Sequence, residues 1–372
     1  MWIFRRSRES SAEELRVDCA RAARKIAPSP RLWRALGGGA RLLLTAFCLL
    51  PCAYCPAAGW LYKVQEVKPN VFVWVSDDVL DIEGDPQFDR AGTAGFILTS
   101  EGVVVVDTTN TPFHGRELLY EIRHHSELPV RYVIDTNSSG EQILGNEVFT
   151  ELQATLISSA KTEEAISEYR QQLARRLVQE AGDVKLRSRM RGFHIAVPSQ
   201  TFGNEMALRL GGQEIKLISL LRNGSGDDSV VYLPALKVLF LGELFQNSYF
   251  PRIDSRNLHD WIETLRRVEG WDVDVYVPGH GAPGGKKELA EFRQFLEWLE
   301  KEVETRFQKG KSISEVKREV GPLMGNYRWH APELFPEELE ALYRQIVKIP
   351  SKGAAPNTTT RSPLLVQPSA LR

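Results

Sequence analysis

The sequence predicts an α/β fold in which two β-sheets pack face to face between layers of helices. Short apolar strand signals alternate with amphipathic helix signals through the first half of the chain, and a second, similar succession follows. Further helix signals then extend the C-terminal part. Because each sheet can bury one face on the other and needs helices to cover its opposite face, two such successions are typical of a four-layer αββα sandwich.

The first succession begins with strands joined by a turn and continues with alternating strands and helices. Its strand signals are short apolar runs at 70–76, 94–100, 103–107, 130–134 and 154–158. Helices are predicted over 111–125 and 161–181, and the second of them ends at Gly182. The loop 135–146 follows a strand and precedes a helix, the place where α/β enzymes usually hold their functional side chains.

The second succession starts with a β-hairpin that turns at Gly211 and Gly212. More strand signals follow at 229–234, 237–244 and 273–281. An amphipathic helix is predicted over 257–270, a long one over 286–310, and two shorter ones begin at Ser314 and Pro336. We therefore expect extra C-terminal helices beside the sandwich.

Composition and charge narrow the function classes. The chain has 372 residues, 42% of them hydrophobic, and its 47 basic and 48 acidic side chains leave a net charge of −1. No overall field favours nucleic acid or an anionic membrane, so we expect no nucleic-acid partner. The cysteines all precede residue 60, at Cys19, Cys48, Cys52 and Cys55. This clustering argues against a disulfide framework and against a thiolate metal site in the globular part.

The N-terminal segment has the pattern of an export signal. Arginines precede an apolar run at 42–50, and small residues end it at Ala57 and Ala58. Cleavage near Ala58 would give an exported protein, periplasmic or extracellular. The alternative is an uncleaved membrane anchor, because 42–62 carries no charge and approaches the roughly 20 residues that a spanning helix needs. Residues 1–30 are a cytoplasmic tail or follow a start codon placed too early.

These patterns divide the chain into four parts. Residues 1–58 form the N-terminal tail and signal or anchor segment, and 64–309 form the α/β domain. Residues 310–349 form a helical extension. The tail at 350–372 is rich in Pro, Ser and Thr and is predicted to be disordered.

Four landmarks in order resemble one family. They are "GVVVVDT" at 102–108, the loop after "RYVID" at 131–135, "SVVYLPALKVLFLGEL" at 229–244 and "VPGHG" at 277–281. Together, and from about residue 70 to 309, they resemble the metallo-β-lactamase superfamily, in particular its exported hydrolases with an added helical C-terminus. The resemblance implies the αββα sandwich. It also implies that Asp107, at the end of a buried strand, has a structural role.

The resemblance extends to the residues around the family's metal ligands but not to most of the ligands themselves. The family's first loop reads THxHxDHxxGN, and Thr136, Gly145 and Asn146 keep their places in it. The substituted ligand positions are Asn137 and Ser139 for the first two histidines, Glu141 for the aspartate, Gln142 for the third histidine, Gly224 for the next histidine and Glu243 for the bridging aspartate. His280, in "PGHG", is the position that matches.

A zinc pair of the family's kind is therefore not expected. Zinc hydrolases use imidazole or thiolate ligands and an open position, which lower the pKa of bound water to about 7. Asparagine and serine are poor zinc donors, and glycine has no side chain to offer. The leading hypothesis is a non-catalytic binding or scaffold protein without a cofactor, which takes an unknown small molecule or protein in the former active-site groove.

Two arrangements of the remaining side chains stay open. Glu141, Gln142, Glu243 and His280 could hold one Mg²⁺, Ca²⁺, Mn²⁺ or Zn²⁺ ion, with Glu141 as the candidate catalytic residue of a metal-dependent hydrolase. Alternatively, arginines could neutralise the acids without a metal, since crowded carboxylates repel one another unless a positive charge joins them. The arginines in neighbouring loops are Arg222, Arg252 and Arg256, and further acids are Asp227 and Asp228.

Overall fold

A computed structural model describes residues 62–76, 91–179, 193–220, 228–253, 256–326 and 334–348. The strands in these ranges are β1 Tyr62–Lys68, β2 Val71–Ser76, β3 Ala94–Thr99, β4 Gly102–Val106, β5 Val130–Ile134, β6 Thr155–Ser159, β7 Gln200–Phe202, β8 Glu205–Leu210, β9 Gln213–Ser219, β10 Ser229–Leu233, β11 Val238–Gln246 and β12 Val275–His280. The α-helices are α1 Pro112–His125, α2 Gly140–Ile143, α3 Asn146–Thr150, α4 Ala160–Gln179, α5 Leu258–Glu269, α6 Lys286–Gln308, α7 Ile313–Val320 and α8 Phe335–Lys348, with a 3-10 helix at Gly321–Asn326.

The described strands form two sheets. The first has the spatial order β1-β2-β3-β4-β5-β6-β7, antiparallel as far as β4 and parallel from β4 to β7. The second has the order β12-β11-β10-β9-β8, with β11 and β12 parallel and the other pairs antiparallel. Neighbouring parallel strands end at the same end of a sheet, so the loops that follow them lie close together. The site lies among these loops.

The apolar core lies in three layers between and outside the sheets. Alternate strand residues such as Val104 and Leu217 fill the space between the two sheets. The outer face of the first sheet packs on α1 and α3, through residues such as Leu118 and Phe149. The outer face of the second sheet packs on α5 and α6. The predicted four-layer αββα sandwich is confirmed.

The C-terminal helices join the outer layer of the second sheet. Buried residues of α7 and α8, among them Val316, Leu339 and Leu342, belong to the same core as Trp261 of α5 and Leu296 of α6. The apolar stripe of α8 therefore faces the domain rather than solvent. The extra C-terminal helices that the sequence predicted are present in the described part.

Most predicted elements have their expected places, and two strands were missed. The strand β1 begins at Tyr62, two residues before the predicted domain start at residue 64, and its exposed polar residues hid the pattern. The strand β7 has three residues, too few for a periodicity signal. The N-terminal segment, Gly182 and the tail lie outside the described residues, so the predictions on them stay predictions. Of the helices in the described ranges, none combines the length and apolar character needed to cross a bilayer.

Candidate functional site

The site lies where the loop after β5 meets the ends of β11 and β12. Gly242 makes this close approach possible. Its φ of +51° lies in the left-handed region, and a Cβ there would come within 2.3 Å of Thr136 Oγ1. Glycine at this position therefore lets the end of β11, with Glu243, pass directly beside the β5 loop.

Hydrogen bonds between short polar side chains hold the loops after β4 and β5 together. Asp107 accepts hydrogen bonds from the backbone N–H of Thr136 at 2.9 Å and from its hydroxyl at 2.8 and 3.0 Å. Thr108 Oγ1 donates to Asn146 Oδ1 at 2.7 Å, and Asn146 Nδ2 donates to Asp135 Oδ2 at 2.9 Å. All five side chains are buried. We call these residues (Asp107, Thr108, Asp135, Thr136 and Asn146) the frame, and the structural role expected for Asp107 agrees with it.

The frame contains two buried acids with raised pKa values, and it adjoins a strained turn. Burial raises the pKa of Asp107 to about 7, against the lowering effect of the hydrogen bonds from Thr136. Burial, together with the charge of Asp107, raises the pKa of Asp135 well above its usual range. Asp107 and Thr109 have positive φ angles of 57° and 72°, which for the β-branched threonine is costly. The turn after β4 is thus held in place by its surroundings.

Gly145 is needed because two loops touch at its backbone. A Cβ at this position would lie 2.1 Å from the carbonyl oxygen of Thr108 and 3.1 Å from the Cα of Gly115. Neither backbone atom can move without shifting the β4 turn or α1. Close packing against these two backbones therefore explains why position 145 is glycine, as it is in the family's loop motif.

Above the frame, one histidine lies between two glutamates. His280 Nε2 is 2.9 Å from Glu141 Oε2 and 3.2 Å from Glu243 Oε1, and all three side chains are buried. The Tyr249 ring lies beside the imidazole, with ring centroids 5.4 Å apart. The three residues that the sequence predicted to converge do so, and His280 faces both carboxylates with one nitrogen.

This geometry favours a doubly protonated His280. Burial alone would lower the pKa of His280, but the charge of Glu243 and the hydrogen bond to Glu141 raise it to about 10. Burial alone would raise the pKa of Glu243, but the charge of His280 lowers it to about 2. An N–H at Nε2 lies within reach of both carboxylates, and a positive charge on the ring would offset theirs.

Two glutamines complete the surroundings of Glu243. Gln142 Nε2 donates to Glu243 Oε1 at 2.9 Å and to the carbonyl of Gly279 at 3.0 Å. Gln246 Nε2 donates to Glu243 Oε2 at 2.8 Å. Because both partners of the Gln142 amide nitrogen are acceptors, this orientation of the amide is fixed. Its oxygen is buried and has no hydrogen-bond partner in the described part of the chain.

Arginines pair with Glu141 and with one further carboxylate, Asp228. Arg252 Nη2 lies 2.9 Å from Glu141 Oε1, and Arg256 makes a two-point contact with Asp228 at 2.7 and 2.9 Å. Both arginines come from the segment between β11 and α5, residues 247–257, which we call the arginine loop; its residues 254 and 255 lie outside the described part. Glu141, Asp228, Glu243, Arg252, Arg256 and His280 together are called the charge cluster.

The charge cluster brings acidic and basic side chains together in equal number. Its three carboxylates face two arginines and one histidine. The sequence offered arginine neutralisation as one possibility, and this was correct for Glu141 and Asp228. For Glu243 the expectation was incomplete, because His280 and two amides rather than an arginine lie at its oxygens.

The remaining predicted positions have local structural roles or lie outside the described residues. Asn137 Oδ1 accepts from the N–H of Ser139 at 2.7 Å, and Asn137 Nδ2 donates to Thr136 Oγ1 at 3.2 Å. These contacts hold the loop turn that precedes α2. Gly224, Arg222 and Asp227 lie outside the described part.

The sequence did not identify Gln246 or Tyr249 as members of the site. Gln246 lies three residues after Glu243, and a second polar residue at the end of a mainly apolar strand was the available signal. Tyr249 sits in a loop without periodicity, so its contact with His280 depends on the tertiary structure alone.

The residues present do not fit a pair of zinc ions. Within the described ranges, the possible metal-binding group is Glu141, Glu243 and His280, whose ligand atoms lie within 4.8 Å of one another. This set offers one imidazole, whereas zinc sites are built mainly from histidine and cysteine. In addition, the His280 nitrogen that faces the carboxylates is within hydrogen-bond distance of Glu141, and Arg252 Nη2 is bound to the other oxygen of Glu141. A single hard cation would find three donors here, but only after displacing these protein contacts.

Two characterised proteins are similar to the chain in sequence. It is 25% identical over 225 residues to a linear primary-alkylsulfatase from Pseudomonas sp. (strain ATCC 19151), a match that covers 52% of this chain and 42% of the alkylsulfatase. It is 23% identical over 228 residues to a metallo-beta-lactamase type 2 from Elizabethkingia meningoseptica, covering 59% of this chain and 78% of that protein. The chain thus spans about two fifths of the alkylsulfatase's length.

Solved structures of similar proteins are also metallo-beta-lactamases. One from Pontibacter korlensis matches with a TM-score of 0.49 and 21% identity, covering 63% of this chain and 99% of that one. The DIM-1 metallo-beta-lactamase matches with a TM-score of 0.49 and 16% identity, covering 63% and 97%. The sequence pattern of the metallo-beta-lactamase superfamily matches residues 88–280, which is just over half of the chain. On this match, the chain belongs to the metallo-β-lactamase superfamily.

Proposed function

We propose that this protein is a non-catalytic member of its superfamily, a binding or scaffold protein whose former metal centre is an ion-paired charge cluster. The observation that supports this most directly is the position of His280. Its Nε2 lies within hydrogen-bond distance of both Glu141 and Glu243, where it supplies a proton and a positive charge to the two acids that a metal ion would otherwise join.

The other contacts of the charge cluster support the same proposal. Arg252 is bound to the second oxygen of Glu141, and both oxygens of Glu243 accept from amide nitrogens. A hydrolase of this superfamily needs a polarised water and an open coordination position. Here the carboxylate oxygens that could hold a metal are already used by protein donors, so little catalytic machinery remains.

The ligand or partner would bind at the loop face above the charge cluster. Arg252 forms part of that face, since its side chain is 37% exposed. The proposed place of action is outside the cytoplasm, in keeping with the export-signal pattern at 42–58.

The test is a metal analysis of protein purified without a histidine tag from cells grown with added Zn²⁺ and Mn²⁺. We expect well below one equivalent of any transition metal or of Mg²⁺ and Ca²⁺ per chain. Thermal melts with each of these ions should show no saturable rise in the unfolding temperature, because a ligand that binds the folded state must stabilise it. A site filled near one equivalent would overturn the proposal.

A second candidate is a metal-dependent hydrolase with one ion held by oxygen donors. Two observations favour it: the ligand atoms of Glu141, Glu243 and His280 lie within 4.8 Å, and the buried amide oxygen of Gln142 has no hydrogen-bond partner in the described part. A bound Mg²⁺ or Mn²⁺ ion would supply Lewis-acid polarisation of an ester or sulfate ester. The relatives named as an alkylsulfatase and a metallo-beta-lactamase make such substrates reasonable probes.

The two candidates differ in how they respond to loss of Glu141. If the protein is a hydrolase, turnover of a chromogenic sulfate ester or β-lactam should require added metal and should vanish in Glu141→Gln. If the charge cluster replaces the metal, no metal-dependent turnover is seen in the wild type, and Glu141→Gln changes stability alone.

A further inference from the structure

We propose that helix α8 positions the arginine loop on the charge cluster, with Glu338 and Gln345 as the positioning residues. The inference rests on the proposed function, because it concerns how Arg252 and Arg256 are kept on their carboxylates. Residues of α8 lie about 90 positions after the loop in sequence, and their contacts are made to the loop's backbone.

The first contact is a buried hydrogen bond to the middle of the loop. The backbone N–H of Ile253 donates to Glu338 Oε2 at 2.6 Å, and Ile253 is fully buried. Glu338 is only 6% exposed. A carboxylate is costly to bury unless strong hydrogen bonds compensate, so apolar packing of α8 alone does not account for a glutamate here.

The second contact joins the two residues on either side of positions 254 and 255 to one side chain. Gln345 Nε2 donates to the carbonyl oxygens of Ile253 at 3.0 Å and Arg256 at 2.6 Å. Its Oε1 accepts from the N–H of Leu258, the first residue of α5, at 3.2 Å. One amide therefore contacts three backbone groups of the loop and of the start of α5. The Ile253 carbonyl also accepts from the N–H of Arg256 at 3.2 Å, so Gln345 adds to a contact within the loop.

Aromatic packing adds to these polar contacts. The ring of Phe250, in the loop, lies 5.7 Å from the ring of Phe335 at the start of α8 and 6.1 Å from that of Phe295 on α6. The neighbouring Tyr249 contacts His280. The arginine loop thus packs on α8 with one side chain and on the charge cluster with the next.

These contacts matter most for Arg252. Its side chain is 37% exposed, so water reaches its pair with the buried Glu141, and a partly exposed ion pair restrains a long side chain weakly. Its backbone, in contrast, adjoins Ile253, which α8 anchors through both N–H and carbonyl. We infer that the Arg252–Glu141 pair depends on this anchor.

The experiment follows the guanidinium of Arg252 by nitrogen-detected NMR of the full chain, with its signal identified by its loss in Arg252→Lys. In the wild type the ion pair restricts rotation of the guanidinium and gives separate signals for its two terminal nitrogens. Glu338→Ala and Gln345→Glu should each merge these signals. Gln345→Glu keeps the size of the side chain and its acceptor oxygen but loses the two hydrogen bonds that the amide donates. If Glu338→Ala fails to fold, Gln345→Glu therefore still tests whether α8 positions Arg252.

Two controls separate positioning from general damage to α8. Glu338→Gln keeps an acceptor oxygen for Ile253 and should retain separate signals. Glu340→Ala removes a glutamate of the same helix whose contacts go to Lys317 and Arg344, and it should also leave them separate. Hydrogen exchange of the loop backbone should speed up on the order of tenfold in Gln345→Glu and not in Glu340→Ala.

Merged signals in Glu340→Ala, or separate ones in both Glu338→Ala and Gln345→Glu, would overturn the inference. So would a wild type in which the two nitrogens are already equivalent. All spectra are recorded on protein freed of metal with a chelator, so the comparison between variants is separate from metal content, which tests the proposed function by itself.

Discussion

The frame and the charge cluster are two layers of one site, and they are built on different principles. The frame consists of short side chains that hydrogen-bond to adjacent loops, and its contacts run between neighbouring strands of the first sheet. The charge cluster consists of long charged side chains that join both sheets and the arginine loop. The difference teaches that short hydrogen-bonded side chains hold these loops together locally, whereas the charge cluster connects the two sheets through long-range ion pairs.

The largest effect expected from a single change in the charge cluster is that of His280→Ala. It leaves two buried carboxylates without the cation between them, and breaking a buried pair in this way costs about 3–5 kcal/mol of unfolding free energy. Urea unfolding at neutral pH measures it. The matched control is His259→Ala, whose side chain is 64% exposed and paired only at 3.6 Å with Glu300, and which should change little. Equal effects for the two variants would contradict the account.

The frame is tested by Gly145→Ala. The added Cβ would meet the carbonyl of Thr108 at 2.1 Å, and forcing an extra methyl into rigid backbone costs about 1–3 kcal/mol. Gly203→Ala is the control, because a Cβ there meets no atom within 4 Å. If both variants unfolded at the same denaturant concentration, close packing at Gly145 would not be needed for stability.

The pH dependence of stability separates the two layers further. The pKa of His280 is raised from 6.5 to about 10, so its stabilising contribution is complete below pH 6.5 and is lost as the pH rises through about 10. The gap in unfolding free energy between the wild type and His280→Gln should therefore shrink between about pH 7 and about pH 10. A gap that stays constant over this range would mean that His280 does not lose a proton there.

Arg252→Gln should have the smallest effect on stability. Because the arginine side chain is 37% exposed, water screens its pair with Glu141, and the loss should be at most about 1 kcal/mol. Chemical denaturation of Arg252→Gln beside Arg209→Gln, whose arginine is 81% exposed and paired with Glu214, measures the excess. A loss as large as that of His280→Ala would show that the arginine, not the histidine, is the main cation.

The sequence predicted the sandwich because its strand and helix periods are clear and its landmarks occur in a recognisable order. The family resemblance also implied that Glu141, Gln142, Glu243 and His280 would converge, and the structure brings these four side chains together. The sequence could not assign each cation to an acid, because that depends on the path of the arginine loop. The contacts of Glu338 and Gln345 bridge 85 to 92 residues and leave no periodic signal in the chain.

The most direct test of the central claim is the protonation state of His280 in the intact protein. Nitrogen NMR at neutral pH distinguishes an imidazolium with two N–H groups from a neutral ring bound to metal through one nitrogen. We predict an imidazolium signal that persists when excess Zn²⁺ is added. A neutral ring, or an N–H lost on adding zinc, would show that the site holds a metal ion and that protein cations have not replaced it.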